Sequence, residues 1–269
     1  MNGVLALWWG DPNLAMQYRA DLLQAVDSGR AENARSPRAE RDWRVSRALL
    51  QHVRPVAPES SGAVPLSPGQ SALSPTQPAP SPGQFLLSPG QPALSLSHSG
   101  GHALVGIAPA GWRIGVDLEA IRARDTGRLA QWCCTDAEQQ ALAHCADEAR
   151  RSKAFYLLWT LKESFIKAAN LDFPADMRSV GLMPDAPPGP ALDLPADAGW
   201  EKDGHPWAGW RLRAPQAGWH AWAAVVDDAW IATVVWQRPQ GATGSAIVPV
   251  WHTAQGAAAP RVMPAGQWS

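Results

Sequence analysis

Gly115-Val116-Asp117-Leu118-Glu119 and Trp159-Thr160-Leu161-Lys162-Glu163-Ser164-Phe165-Ile166-Lys167 place three carboxylates and two lysines on two different kinds of secondary structure. In the first stretch apolar Val116 and Leu118 alternate with Asp117 and Glu119. That is the period of a strand, so both acids leave one face with Cα atoms roughly 7 Å apart. Like charges so placed need a cation. In the second stretch the apolar residues from Phe155 to Ala169 recur at helical spacing. Phe155, Leu158, Leu161, Phe165 and Ala168 form the core stripe, while Glu163 and Lys167, four residues apart, share another face with Trp159 and Thr160. Each stretch alone has an ordinary explanation. An Asp-x-Glu strand can be a solvated edge, and a Glu–Lys pair at this spacing supports a helix by only about 0.3 to 0.5 kcal/mol.

Outward from these motifs, Val4 to Trp9 reads as a buried strand, Leu14 to Val26 as a helix, and Pro37 to Val53 as a second helix with Pro37 near its start. On the second helix Trp43, Val45, Ser46, Leu49, Leu50 and Val53 share the core side. Arg41, Arg44 and Arg47 fall on the other, within an arc of about 120°. They belong to a basic run: from Ser28 to Arg54 there are seven arginines against Glu32, Glu40 and Asp42. Such a run is either a solvated face or a site for a phosphorylated ligand. Residues 57 to 92 break every periodicity, with Ser-Pro-Gly-Gln recurring at 67, 81 and 88, and read as a low-complexity insertion.

Strands are predicted at Ala93 to Ser97, His102 to Ala108 and Arg113 to Glu119. Helices follow at Asp136 to Cys145 and Ala149 to Ala169, then strands at Trp207 to Arg213, Trp219 to Val226 and Trp230 to Trp236. Gly, Ala and Pro dominate residues 238 to 269, which read as a loose low-complexity tail. The resulting division is an N-terminal lobe at 1 to 108, a C-terminal lobe at 109 to 237 and the tail. A weak internal repeat matches the two lobes: Trp43 to Gln51 lies over Trp159 to Lys167, setting Arg47 opposite Glu163, and Val4 to Asp11 matches Ile114 to Glu119.

The 269 residues carry a formal net charge of −1, which argues against a general nucleic-acid binder. Cys133, Cys134 and Cys145 are odd in number and contain no Cys-x-x-Cys, so neither a disulfide framework nor a zinc site is expected. No signal peptide and no apolar run approaching 18 residues is recognisable. A soluble protein of the reducing cytoplasm, without a membrane partner, is the expectation. Most of the 15 tryptophans are assigned to packing.

Taken together, Gly-Val-Asp-Leu-Glu at 115 to 119 and Trp-Thr-Leu-Lys-Glu-Ser-Phe-Ile-Lys about 40 residues later resemble the signature of the 4′-phosphopantetheinyl transferase superfamily, with every signature position filled. The length points to its longer, two-lobed Sfp-type members. Leu96-Ser97-His98-Ser99-Gly100 looks like their Ser-His-Ser motif. Cys134-Thr135-Asp136-Ala137-Glu138 resembles their Phe-Ser-x-x-Glu segment with Cys134 in place of the aromatic, and Gly90-Gln91-Pro92 resembles a Gly-Lys-Pro turn without its cation.

The resemblance implies an α+β fold of two similar lobes arranged as an intramolecular pseudo-dimer, monomeric, with one active site between them. The reaction it implies is attack by a serine of an apo acyl or peptidyl carrier protein on the β-phosphate of coenzyme A. Such carriers serve fatty-acid synthesis, lysine biosynthesis, and secondary metabolism of the polyketide and nonribosomal-peptide kind. By the same resemblance Asp117, Glu119 and Glu163 are the candidate ligands of Mg²⁺ or Mn²⁺, and Glu163 also orients or deprotonates the serine. Lys167 holds phosphate oxygens, and Lys162 is placed with it among the coenzyme A contacts. Arg41 and Arg47 grip the 3′-phosphate, and Ser97 and His98 meet the pyrophosphate or the 3′-phosphate. Two rivals remain open: a pseudo-enzyme that binds carrier protein or coenzyme A without turnover, and a Mg²⁺-dependent phosphoesterase.

Overall fold

The computed structural model describes residues 4–23, 27, 31, 33, 35–53, 91–171, 175–185, 206–241 and 247–269. Apart from Gln91 and Pro92, the predicted 57–92 insertion lies outside them. The strands are β1 (Ala6–Gly10), β2 (Pro92–Ser99), β3 (His102–Ala110), β4 (Arg113–Ala120), β5 (Gly181–Pro184), β6 (Trp210–Arg213), β7 (Trp219–Val226), β8 (Trp230–Gln237), β9 (Val250–Thr253) and β10 (Val262–Trp268). The α-helices are α1 (Pro37–Val53), α2 (Thr126–Cys133), α3 (Asp136–Ala143) and α4 (Glu148–Ala169).

Period-two alternation explains the layers. On β7, Ala221, Ala223 and Val225 pack with Phe155, Leu158, Leu161 and Phe165 of α4, while Trp222, Ala224 and Val226 face the opposite way. That second face meets Leu5, Leu7, Trp9, Leu104 and Ala108 from the other sheet, together with Val116 and Leu118 of β4. The far face of the other sheet, with Leu94, Leu96, Ala103 and Val105, receives Val45, Ala48 and Leu49 of α1. Helix, sheet, sheet and helix are thus stacked, and among the described residues the largest apolar cluster lies between α4 and its sheet. Mixed α and β structure agrees with the α+β class expected from the sequence.

One sheet runs β2-β3-β1-β9 and the other β10-β7-β8-β4, with β5 and β6 as a separate pair. Within them β1 pairs β3 and β3 pairs β2, both antiparallel; likewise β4 pairs β8 and β8 pairs β7. The first half runs strand, helix, strand, strand with β3 in the middle; the second matches it in β4, α4, β7 and β8, with β8 in the middle, once α2, α3 and the β5–β6 pair are set aside.

Two sequence expectations are corrected here. Residues 238–269 are not a loose tail along their described length. β9 pairs parallel with β1, and β10 pairs antiparallel with β7, so this segment adds one strand to each sheet. Its composition conceals this because Gly, Ala and Pro surround the short strand-forming stretch Val250-Trp251-His252-Thr253. Pro264 sits on the outermost strand beside a register shift, where a missing N–H is tolerated. His252 stacks on Trp8 at 4.6 Å, and Ala258 N–H donates to Asp11 Oδ2 at 3.0 Å, fixing the connection.

The Leu14 to Val26 helix is also replaced. A 3-10 turn spans Pro12–Gln17, capped by Asp11, and the chain is extended at Tyr18 and Arg19 before a second turn at Ala20–Leu22. Gln51 of α1 takes over the backbone of Arg19: Arg19 N–H donates to Gln51 Oε1 and Gln51 Nε2 donates to Arg19 O. Those bonds replace the helical ladder at this point. Residues 24–26 lie outside the described set.

Candidate active site

β4 and α4 meet at Gly115. A Cβ there would stand 2.0 Å from Ser164 O and 2.6 Å from Ala168 N, so only glycine lets the helix axis come this close to the strand. That contact brings the acids of β4 to the Glu163 and Lys167 face of α4. Lys167 Nζ donates to Asp117 Oδ1 at 2.8 Å and to Val116 O at 3.1 Å, using two of its three hydrogens. Asp117 Oδ1 also accepts from Ser97 Oγ at 2.7 Å, whereas the buried Asp117 Oδ2 has no partner.

Glu163 is largely buried, and its carboxyl pKa is raised from 4.5 to about 7. Loss of solvation is the largest cause. The charges of Asp117 and Glu119 add to it, and Lys167 opposes it. Glu119 is likewise raised, first by burial and then by Asp117, with the hydrogen bond from Ser99 pulling the other way. The three carboxylates are therefore close enough to repel one another. Among the described residues no three His, Cys, Asp or Glu side chains form a ready-made metal cage. An unpartnered buried carboxylate oxygen next to two acids whose pKa values burial raises is nonetheless a donor set suited to a hard divalent cation.

The strand β2 brings the other half to this place. His98 is open to solvent on one side, yet crowding by the protein lowers its pKa. Arg47 and Lys167 reinforce that effect, and Asp42 and Asp117 oppose it, so charges from both halves act on one imidazole. Asp42 of α1 accepts from Gly101 N–H at 2.7 Å, tying the turn after Ser-His-Ser to the basic helix. Gly100 and Gly101 in that turn have φ of 61° and 84°. Arg41 is exposed, with its stem alongside Gly101.

Of the expected site residues, Asp117, Glu119, Glu163, Lys167, Ser97 and His98 converge, and Arg41 stands exposed beside the turn. Lys162 and Arg47 do not present their charges there. Lys162 is fully buried, and its three hydrogens go to Glu138 Oε2 at 3.0 Å, Met177 O at 2.8 Å and Val180 O at 2.7 Å. No donor remains for a phosphate, so its assignment as a coenzyme A contact is corrected to a structural one. Helical position explains this: Lys162 precedes Glu163 by one residue, which rotates it about 100° off the acid's face. Arg47 is only 7% exposed; it packs on the Trp43 ring at 3.9 Å and pairs with the buried Asp27 at 2.8 Å. It is committed to that carboxylate, which corrects its reading as a grip on a 3′-phosphate.

Glu138 also finds its role. It closes a capping box with Thr135 and binds Lys162, Arg213 and the N–H of Leu182. A Cβ at Gly181, whose φ is 132°, would come within 2.4 Å of Glu138 Oε1, so the glycine admits this ion pair between α3, α4 and the paired strands β5 and β6. Sequence reasoning left out Ser95, Ser99, Asp42 and Asp27. The first two carried a signal, since serine recurs at 95, 97 and 99 with the period of one strand face.

Residues 113–234, which hold Asp117, Glu119, Glu163 and Lys167, match the family model described as the 4′-phosphopantetheinyl transferase superfamily. A Synechocystis protein named "Putative 4'-phosphopantetheinyl transferase slr0495" is 35% identical over 90 residues, which is 33% of this chain and 36% of that protein. The chain thus spans about a third of the length of the curated relative it matches. With the acids on β4 and α4 placed as described, the segment 113–234 is similar to the 4′-phosphopantetheinyl transferase superfamily.

Proposed function

We propose that the chain is a 4′-phosphopantetheinyl transferase of the two-lobed kind. It moves the 4′-phosphopantetheine group of coenzyme A to a serine of an apo acyl or peptidyl carrier protein and releases 3′,5′-ADP. The observation that carries this reading is Glu163, with a pKa of about 7, near enough to Asp117 to feel its charge and one helical turn from Lys167. A carboxylate so poised takes a hydroxyl proton efficiently near neutral pH. In this reading Glu163 orients the serine hydroxyl and accepts its proton as the oxygen bonds to phosphorus. The bond from phosphorus to the departing 3′,5′-ADP breaks.

Lys167 has one hydrogen left for a phosphate oxygen and stays anchored by Asp117 while offering it. His98 and the exposed Arg41, from the other half, supply further donors for phosphate. Asp117, Glu119 and Glu163 would hold Mg²⁺ or Mn²⁺, which, when bound, neutralises charge on the pyrophosphate and the leaving group. The chain acts as a monomer in the cytoplasm, the repeated strand, helix, strand, strand order giving it both halves of the site.

The test is the intact mass of several apo carrier proteins after incubation with coenzyme A and Mg²⁺. The expected result is a gain of about 340 Da on at least one carrier, the mass of the group that this metal-assisted transfer adds. Consumption of coenzyme A without a mass gain on any carrier would identify a phosphoesterase instead, and tight binding with neither would identify a pseudo-enzyme.

A further inference from the structure

β4 is an edge strand of its sheet, and β2 is an edge strand of the other; the two lie side by side without a shared ladder. Serine hydroxyls fill the gap. Val116 N–H donates to Ser95 Oγ at 3.0 Å and Ala120 N–H to Ser99 Oγ at 3.2 Å, while Ser97 donates to Asp117 Oδ1 at 2.7 Å and Ser99 to Glu119 Oε2 at 2.8 Å. We propose that Ser99 is a positioning residue: by tethering one oxygen of Glu119 across the seam between the halves, it leaves the other oxygen set for a divalent cation. The inference rests on the functional reading above and assigns a role within the same site.

A serine hydroxyl has one hydrogen and two lone pairs. Ser99 gives its hydrogen to Glu119 and receives the N–H of Ala120, the next residue on the same strand. The hydroxyl therefore cannot swing away from the carboxylate without unpairing a backbone N–H, and unmet donors of that kind are costly when water is excluded. Glu119 Oε1 makes no hydrogen bond among the described residues. Asp117 shows the same division, with Oδ1 holding both Ser97 and Lys167 and Oδ2 open. Each acid has one fixed oxygen and one presented oxygen, and the fixing groups on β2 come from the half of the chain that does not carry the acids. Outer partners of this sort orient metal-binding carboxylates and commonly change affinity by tenfold or more.

Ser95 supplies the control. It accepts from Val116 N–H and so ties the same two strands, but it touches neither acid. The experiment is Mn²⁺ titration of the full chain, followed by the paramagnetic resonance of free Mn²⁺, first with the metal alone and then with coenzyme A, alongside thermal melting. Ser99→Ala is expected to weaken Mn²⁺ binding by about tenfold. Ser99→Thr, which keeps the hydroxyl, should restore it to within about threefold, and Ser95→Ala should stay within about twofold even where it melts earlier. Wild-type affinity in Ser99→Ala would overturn the proposal. Equal weakening in Ser95→Ala and Ser99→Ala would do so as well, by reducing the row to a tie between strands. If the wild-type chain itself takes up no Mn²⁺ under either condition, the metal reading of the acids falls and this inference falls with it; the wild-type arm distinguishes that failure from the other two.

Discussion

Lys162 Nζ lies 3.0 Å from Glu138 Oε2 with both side chains fully buried, one residue away in sequence from Glu163, whose carboxyl feels the charges of Asp117, Glu119 and Lys167. Neighbours on one helix turn thus divide into a structural charge and a chemical one. Burial pushes the Lys162 pKa down and Glu138 pulls it back, so the pair holds only while both partners are present. Removing one partner of a buried pair strands the other, which typically costs about 3 to 5 kcal/mol. Lys162→Met should therefore lower the urea midpoint strongly while leaving the affinity of the folded fraction for coenzyme A unchanged. An unaltered midpoint combined with lost affinity would return Lys162 to the ligand.

Asp117→Ala and Glu163→Gln should each reduce carrier-protein modification by at least roughly a hundredfold with the fold intact, because each removes a group acting on the metal or the nucleophile. Mass-spectrometric time courses at saturating Mg²⁺ read this directly. Full turnover by either variant would dismiss the acids as the reacting groups.

Glu163 also gives stability a pH dependence. Its pKa is raised from 4.5 in the unfolded chain to about 7 in the fold, so between these values the native state holds a proton that the unfolded state has released. The contribution is fully present below pH 4.5 and is lost as pH rises through about 7. In chelator, Glu163→Gln should therefore gain stability relative to the wild-type chain across this window, by up to about 3 kcal/mol. Urea midpoints at several pH values decide it, and a difference that stays flat with pH would mean that Glu163 titrates normally.

The two arginines of α1 should separate cleanly. Arg47→Ala leaves Asp27 buried without its guanidinium and should cost about 3 to 5 kcal/mol of folding stability. Arg41→Ala, at an exposed position, should change stability by less than about 0.5 kcal/mol. If Arg41 meets the 3′-phosphate, its loss weakens coenzyme A by about 1.5 to 3 kcal/mol and spares the dephospho form. Titration of both ligands against both variants checks the pair; equal losses for the two ligands on Arg41→Ala would remove that residue from the 3′-phosphate.

What the sequence made legible was whatever depends on local period. α1 runs over the same Pro37–Val53 that the pattern marked, and the acids of β4 and α4 reach one another because strand and helix periods each assign a face. Long-range pairing was not legible. Arg47 sits on the polar side of a helical projection, yet Asp27, twenty residues earlier, and the Trp43 ring hold it inward. Glu138 drew attention through a motif whose partners, Lys162 and Arg213, come from elements no local pattern connects. The last two strands were hidden for the same reason: their ladders belong to β1 and β7, and the Gly, Ala and Pro around Val250–Thr253 mask its strand formers.

Those last strands bear on how the molecule can be made. β9 covers the edge of β1 and β10 covers the edge of β7. During synthesis, neither sheet acquires its final border until residues 250–268 have cleared the ribosome, so vectorial completion of the first half before the second is ruled out. A fragment trimmed to the 113–234 segment would carry a bare β7 edge, an open template for strand addition between chains. For recombinant work, an expression boundary belongs beyond Trp268, and a nascent chain stalled before Val250 is a natural client for chaperones.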